Sequence, residues 1–153
     1  MLRAWRIVKR KHARRAFSGE GARLYGGRWN SPGVALVYTA ESQSLAALAM
    51  AVHLDSSDLL GSYVVFEVGI DESLVLSIDP SQLPRNWRAD PPPKKAREIG
   101  DSWAKAGPSA VLQVPSATLP AERNFLLNPR HPDFPRLVFS KPFAFHFDAR
   151  LAR

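Results

Sequence analysis

The longest apolar run in the chain, Leu45 to Leu54, is flanked on both sides by segments that read as strands. A bilayer span needs about 18 to 20 apolar residues, and this run has roughly half that. It has to be buried within a fold that mixes helix with strand. Before it, Trp5 to Val8 and Val34 to Thr39 are strand-like, the second ending at Tyr38-Thr39. Ser42 stands where an N-cap is wanted, and Leu45-Ala46-Ala47-Leu48-Ala49-Met50-Ala51-Val52 continues as strong helix formers. That helix is apolar nearly all round, which predicts burial on most of its faces.

After the helix, Tyr63 to Ile70 sets Val64, Phe66 and Val68 on one face and Val65 on the other, a strand by periodicity. Leu74 to Ile78 and Ala110 to Val114 are shorter strands. Pro80 to Pro93 is a turn-rich connection, and Lys94 to Ala106 is a surface helix stopped by Gly107-Pro108. Asn124 to Asp133 reads as a polar, proline-bearing loop. Phe143, Phe145 and Phe147 alternate with Ala144 and His146 as a final strand. About six strands mixed irregularly with two or three helices argue for an α+β fold, not a doubly wound sheet. The length of 153 residues fits one domain over 1–153.

The absence of cysteine excludes disulfides and thiolate metal sites and suits a reducing cytoplasm. The N-terminus interleaves charge with apolar residues and has no signal-peptide core. The formal charge is +7, with Lys9, Arg10, Lys11, Arg14 and Arg15 clustered. That cluster is either a solvated basic loop or a surface for a nucleic acid, a smaller polyanion or an acidic partner. No aromatic interleaving or nucleic-acid fold signature accompanies it. The four histidines show no metal-ligand spacing.

Chemistry concentrates in Ser18 to Gly33, a loop by its glycine content, with Gly19, Gly21, Gly26, Gly27 and Gly33. It matches neither the dinucleotide fingerprint nor a P-loop. Arg28 offers a fork that can grip a phosphate or carboxylate, or it packs over Trp29 by cation–π contact. Tyr38 is a cleft aromatic or a core aromatic. Ser116 donates a hydrogen bond to a ligand, or it makes a turn or a cap. Asn124 and Asn128 favour bonds to nearby backbone.

Gly27-Arg28-Trp29-Asn30, then Tyr38-Thr39 and an apolar helix, resemble the RES domain of bacterial toxin–antitoxin systems. Val114-Pro115-Ser116-Ala117, Glu122, Asn124 and Asn128-Pro129-Arg130-His131-Pro132 extend the similarity from about Trp5 to Arg150. The resemblance implies a compact fold like the diphtheria-toxin type of ADP-ribosyltransferase, with a cleft for NAD as substrate and no metal. It implies a type II toxin that cleaves the glycosidic bond of NAD by hydrolysis or phosphorolysis, or transfers ADP-ribose to a protein acceptor. Its partner would be an Xre-type antitoxin that occludes the cleft, with DNA reached only through that antitoxin and no membrane contact.

By this resemblance Arg28, Tyr38 and Ser116 take the family's catalytic positions. Gly27, Trp29, Asn30 and Asn124 join Arg28, Tyr38 and Ser116 in holding NAD. The family glutamate falls at Ala49, and no carboxylate occurs from Ser42 to Leu54. Breaking the nicotinamide–ribose bond builds positive charge on the sugar, which a carboxylate stabilises. The expectation is a chain that keeps the cleft but turns over weakly. The alternatives are a binding-only relative and a basic nucleic-acid-binding module.

Overall fold

The computed structural model describes residues 1–152. In chain order it forms β1 (Leu2–Lys9), a 3-10 turn over Arg10–Arg15, α1 (Glu20–Tyr25), β2 (Val37–Ala40), α2 (Gln43–Ala51), α3 (Ser56–Leu59), β3 (Tyr63–Ile70) and β4 (Val75–Ser77). The rest comprises α4 (Lys94–Ala106), β5 (Val111–Pro115), β6 (Arg123–Leu127), β7 (Val138–Phe139) and β8 (Phe143–Phe145).

The strands form one 8-stranded sheet in the order β4-β5-β6-β2-β1-β3-β7, and β8 also pairs with β3. Every pairing is antiparallel except β4 with β5. This confirms the α+β class.

Side chains alternate across the sheet, as strand geometry requires. Val37, Val68, Ile70, Val111, Phe125 and Leu127 form a core on one face. On the other face Leu112, Val114 and Leu126 pack with Trp29, Ala96 and Trp103. Elsewhere Ile7, Tyr63 and Val65 pack with Leu59, Phe147 and the inner side of α2. The two helical layers therefore cover different parts of the sheet.

Between those parts the ladder is weak. β1 pairs with β3 from Leu2↔Ile70 to Lys9↔Tyr63, but it meets β2 only at Trp5↔Ala40. The sheet splits there, and Arg6 bridges the split: its Nη1 donates to the Tyr38 carbonyl at 2.9 Å and its Nε to the Ala16 carbonyl at 2.6 Å. A guanidinium takes over bonds that a continuous ladder would have made between backbones.

Several local expectations hold closely. Ser42 caps α2 by accepting from the Leu45 N–H at 3.0 Å, and α4 spans Lys94–Ala106 with Gly107 stopping it in the left-handed conformation.

Others need correction. Asn124 to Asp133 is not all loop, because β6 (Arg123–Leu127) is an interior strand between β5 and β2. Its polar ends hide an apolar triplet, Phe125-Leu126-Leu127, buried on both faces. The glycine-rich segment contains α1. The second strand begins at Val37, not Val34, and the last stops at Phe145, leaving Phe147 to pack edge-on against Tyr63. Of α2 only Leu45 is buried, while Leu48 and the capping residue Val52 are exposed. The helix lies along the rim of the split, so one side faces a cleft instead of a core.

Candidate functional site

A cleft of about 630 Å³ opens at the split between β1 and β2. Trp5, Arg6 and Ile7 of β1 and Tyr38, Thr39 and Ala40 of β2 form its floor. Ala46, Ala49 and Met50 of α2 line it, with Val52 and His53 just past the helix end, and Gly26 to Trp29 after α1 line it opposite. Arg88 and Asp90, with Ala117, Thr118 and Asn124, complete the wall. The volume is of the size that encloses a small-molecule ligand.

Arg28, Tyr38 and Ala49 thus face one cleft. Arg28 is half-buried, and its Nη1 donates to the carbonyls of Trp87 at 2.9 Å and Ala89 at 2.8 Å. Those bonds tie down the turn-rich connection that carries Arg88 and Asp90. They leave the second amino group and Nε free of bonds to described residues. Burial holds the guanidinium below its usual range, with nearby Asp90 and Tyr38 opposing the shift and Arg88 adding to it. Trp87 stacks on Trp29 at 6.1 Å, so Trp29 is engaged by another ring.

Tyr38 spends its hydroxyl within the protein. It donates to Asn30 Oδ1 at 2.5 Å and accepts from the Trp29 N–H at 3.1 Å. Burial pushes its phenol pKa up, so the ring stays neutral. What remains for a ligand is the ring. Gly27 is required by this arrangement, since a Cβ there would stand 2.6 Å from the Tyr38 hydroxyl. Tyr38→Phe would leave buried Asn30 Oδ1 without its donor and the Trp29 N–H without its acceptor. A loss of about 1 to 3 kcal/mol of stability is expected, read by denaturant unfolding. An unchanged midpoint would mean that water replaces both bonds.

Asn30, Ser116 and Asn128 lie off the cleft lining. Asn30 is fully buried, and its Nδ2 donates to the carbonyls of Ala22, Ser31 and Val34. Asp101 of α4 fixes the same turn by accepting from the Ser31 N–H at 2.8 Å. Ser116 Oγ accepts from the N–H groups of Thr118 and Leu119, each at 3.1 Å, which makes it a turn cap and leaves its neighbours Ala117 and Thr118 on the cleft. The Asn128 side chain joins Ala104 to Arg130, its Nδ2 donating to the Ala104 carbonyl and its Oδ1 accepting from the Arg130 N–H. Asn124 does line the cleft, with Nδ2 donating to the Thr39 carbonyl at 3.0 Å.

Residue patterns alone missed Arg6, Arg88, Asp90 and His53. Arg6 had one available signal, a lone charge inside the strand-like run Trp5 to Val8. Among the described residues it has no acidic partner within salt-bridge distance, and burial pushes its pKa down to about 10. A poorly solvated cation without a counter-ion gains from an arriving anion.

A mostly antiparallel sheet, split between β1 and β2, with a cleft at the split lined by Arg6, Arg28 and Arg88, defines an α+β protein with one candidate ligand site there. The RES domain family model matches residues 3–148, and the chain belongs to the RES-domain family. It is similar to "Toxin Res" of Yersinia enterocolitica, at 42% identity covering 96% of this chain and 97% of the relative. It is also similar to a "Prs ADP-ribosylating toxin" of Sphingobium sp., at 39% identity covering 97% and 96%. Among solved structures, a chain of the Mycobacterium tuberculosis MbcT–MbcA toxin–antitoxin complex shares the fold. Its TM-score is 0.75 at 19% identity, covering 99% of this chain and 86% of that one.

Proposed function

We propose that this chain is the toxin of a toxin–antitoxin pair and that its cleft takes NAD. The observation that carries this reading is the meeting of Arg6, Arg28, Tyr38 and Ala49 in one cleft. Arg6 and Arg28 supply charge-assisted bonds to a diphosphate. The Tyr38 ring offers a face for nicotinamide, and Asn124 lies close by on the lining. Position 49 looks across the same space, where the chemistry wants an anion next to the ribose. With a methyl group there, the chain binds the dinucleotide and cleaves it slowly. Names among the relatives support the direction, since one is called an ADP-ribosylating toxin.

The partner that fits is an antitoxin of the Xre type covering the cleft mouth. Tyr25 and Leu24 at the end of α1, Leu48 on α2 and Val52 at its C-terminal cap stand exposed beside elements that line the cleft. Exposed large apolar side chains grouped beside a cleft are the pattern of a surface that another protein covers.

The competing reading makes the exposed basic turn at Arg10–Arg15 a nucleic-acid interface. Calorimetric titration with NAD and with duplex DNA at two salt concentrations separates the two. NAD is expected to bind with an affinity that changes little with salt, and DNA weakly with a steep fall. Tight DNA binding with no heat from NAD would replace the proposed function with the nucleic-acid reading.

A further inference from the structure

The connection that carries Arg88 and Asp90 to the cleft has no helix or strand between Leu83 and Pro93. Within itself it makes two turns, Trp87 N–H to the Pro84 carbonyl and Ala89 N–H to the Asn86 carbonyl. Two side chains bond it to the rest of the described chain. Arg28 Nη1 donates to the carbonyls of Trp87 and Ala89, and Arg88 Nε donates to the Ala117 carbonyl at 2.9 Å. Trp87 supplies the apolar anchor, its ring stacked on the buried Trp29 ring at an interplanar angle of 29°. The other residues from Arg85 to Asp90 are exposed. This strap therefore hangs on one indole and the Arg28 guanidinium, with Arg88 as a third tie.

A guanidinium has five N–H donors. In Arg28 the two on Nη1 meet the strap carbonyls, while Nε and Nη2 bond to no described residue and no carboxylate lies within salt-bridge distance. Nε and Nη2 form the parallel pair that fits two oxygens of a phosphate. Two carbonyls thus fix the plane of the guanidinium, and the Trp87 ring fixes the carbonyls. Resting on the nucleotide reading of the cleft, we infer that Trp87 is a positioning residue for Arg28. It holds the strap, and the strap holds the guanidinium with its unpaired edge available to a diphosphate. Trp87 itself is not on the cleft lining, so it acts through Arg28 and not by contact. Its effect is preorganisation, since an arginine already held loses less freedom on binding. Ligand and strap use different N–H groups of Arg28, so both bind at once. By linkage, a ligand that favours the held arginine also favours the held strap.

Isothermal titration with ADP-ribose across a double-mutant cycle tests this. Trp87→Ala should weaken ADP-ribose about tenfold, the scale of one charge-assisted hydrogen bond, and Trp87→Phe, which keeps a ring on Trp29, should recover most of that loss. In Arg28→Met, which has no fork to position, adding Trp87→Ala should weaken binding no further. A merely structural Trp87 would cost the same affinity with or without Arg28, and that result overturns the inference. Equal affinity of Trp87→Ala and the unaltered chain overturns it too. Limited trypsin digestion reads the strap without relying on affinity. Cleavage after Arg85 and Arg88 should be about tenfold faster in Trp87→Ala and in Arg28→Met, and ADP-ribose should slow it in the unaltered chain. If Trp87→Ala does not fold, Arg28→Met decides: strap cleavage at the unaltered rate would show that Arg28 and the strap do not hold each other. Failure of ADP-ribose to bind the unaltered chain overturns the nucleotide reading and the inference with it. Binding that ignores Trp87 overturns the inference alone.

Discussion

Replacing Ala49 with glutamate is expected to raise NAD consumption about a hundredfold or more, the rate normally lost with one preorganised electrostatic group. Position 49 is half-buried on the cleft side of α2, and glutamate is a good helix former there. The new carboxylate would enter a cleft whose neighbours are Arg6, Arg28 and Arg88, and their attraction keeps it ionised. As nicotinamide departs, that charge stabilises the positive ribose and lets water or another acceptor approach. Mass spectrometry of the products identifies the acceptor. Free ADP-ribose means water, a phosphorylated ADP-ribose means phosphate, and modified protein means transfer. A rate that stays at the Ala49 level would show that position 49 does not address the reacting bond.

Gly100→Ala should have the largest effect on the fold. A Cβ on Gly100 would overlap the Trp29 carbonyl oxygen and stand 2.8 Å from its carbonyl carbon. Both are backbone atoms, so no side-chain rotation relieves the overlap. Alanine favours the helix by about 1 kcal/mol relative to glycine, but overpacking against backbone costs about 3 kcal/mol or more, and the clash wins. At about 2 to 4 °C per kcal/mol for this chain length, the net loss lowers Tm by roughly 4 to 8 °C. Because Trp29 adjoins Arg28 and the Tyr38 anchor, nucleotide affinity should fall with it. Gly21→Ala serves as the contrast, since nothing lies within 4 Å of a Cβ there. If Gly100→Ala melted with or above the parent, α4 would not pack on the Trp29 segment as described.

The sequence is most informative where the determinants are local. Ser42 and the formers after it define α2, Gly107-Pro108 ends α4, and the alternation in Tyr63 to Ile70 marks β3. The segment that becomes β6 reads as loop because Arg123, Asn124 and Asn128 bracket only a short apolar triplet. Only its long-range partners β2 and β5 make it a strand. The residues that share the cleft divide in the same way. Arg28, Tyr38 and Ala49 are legible through the order of family motifs. Arg6, Arg88 and Asp90 reach the cleft through sheet splitting and a tethered connection, which leave no pattern in the chain. Conversely, Asn30 and Ser116 sit within motifs yet direct their polar atoms into the protein, to backbone groups and, for Asn30 Oδ1, to the Tyr38 hydroxyl. Motif membership and a place on the cleft lining are separate properties here.

The proposed function puts a nucleotide in the split between β1 and β2. A crystal structure of the unaltered chain with ADP-ribose tests it most directly. The diphosphate is predicted to lie against the guanidiniums of Arg6 and Arg28, with the terminal ribose turned toward the Ala49 methyl group. Nucleotide bound on the basic turn at Arg10–Arg15, with the split left empty, would show that the split is not the nucleotide site.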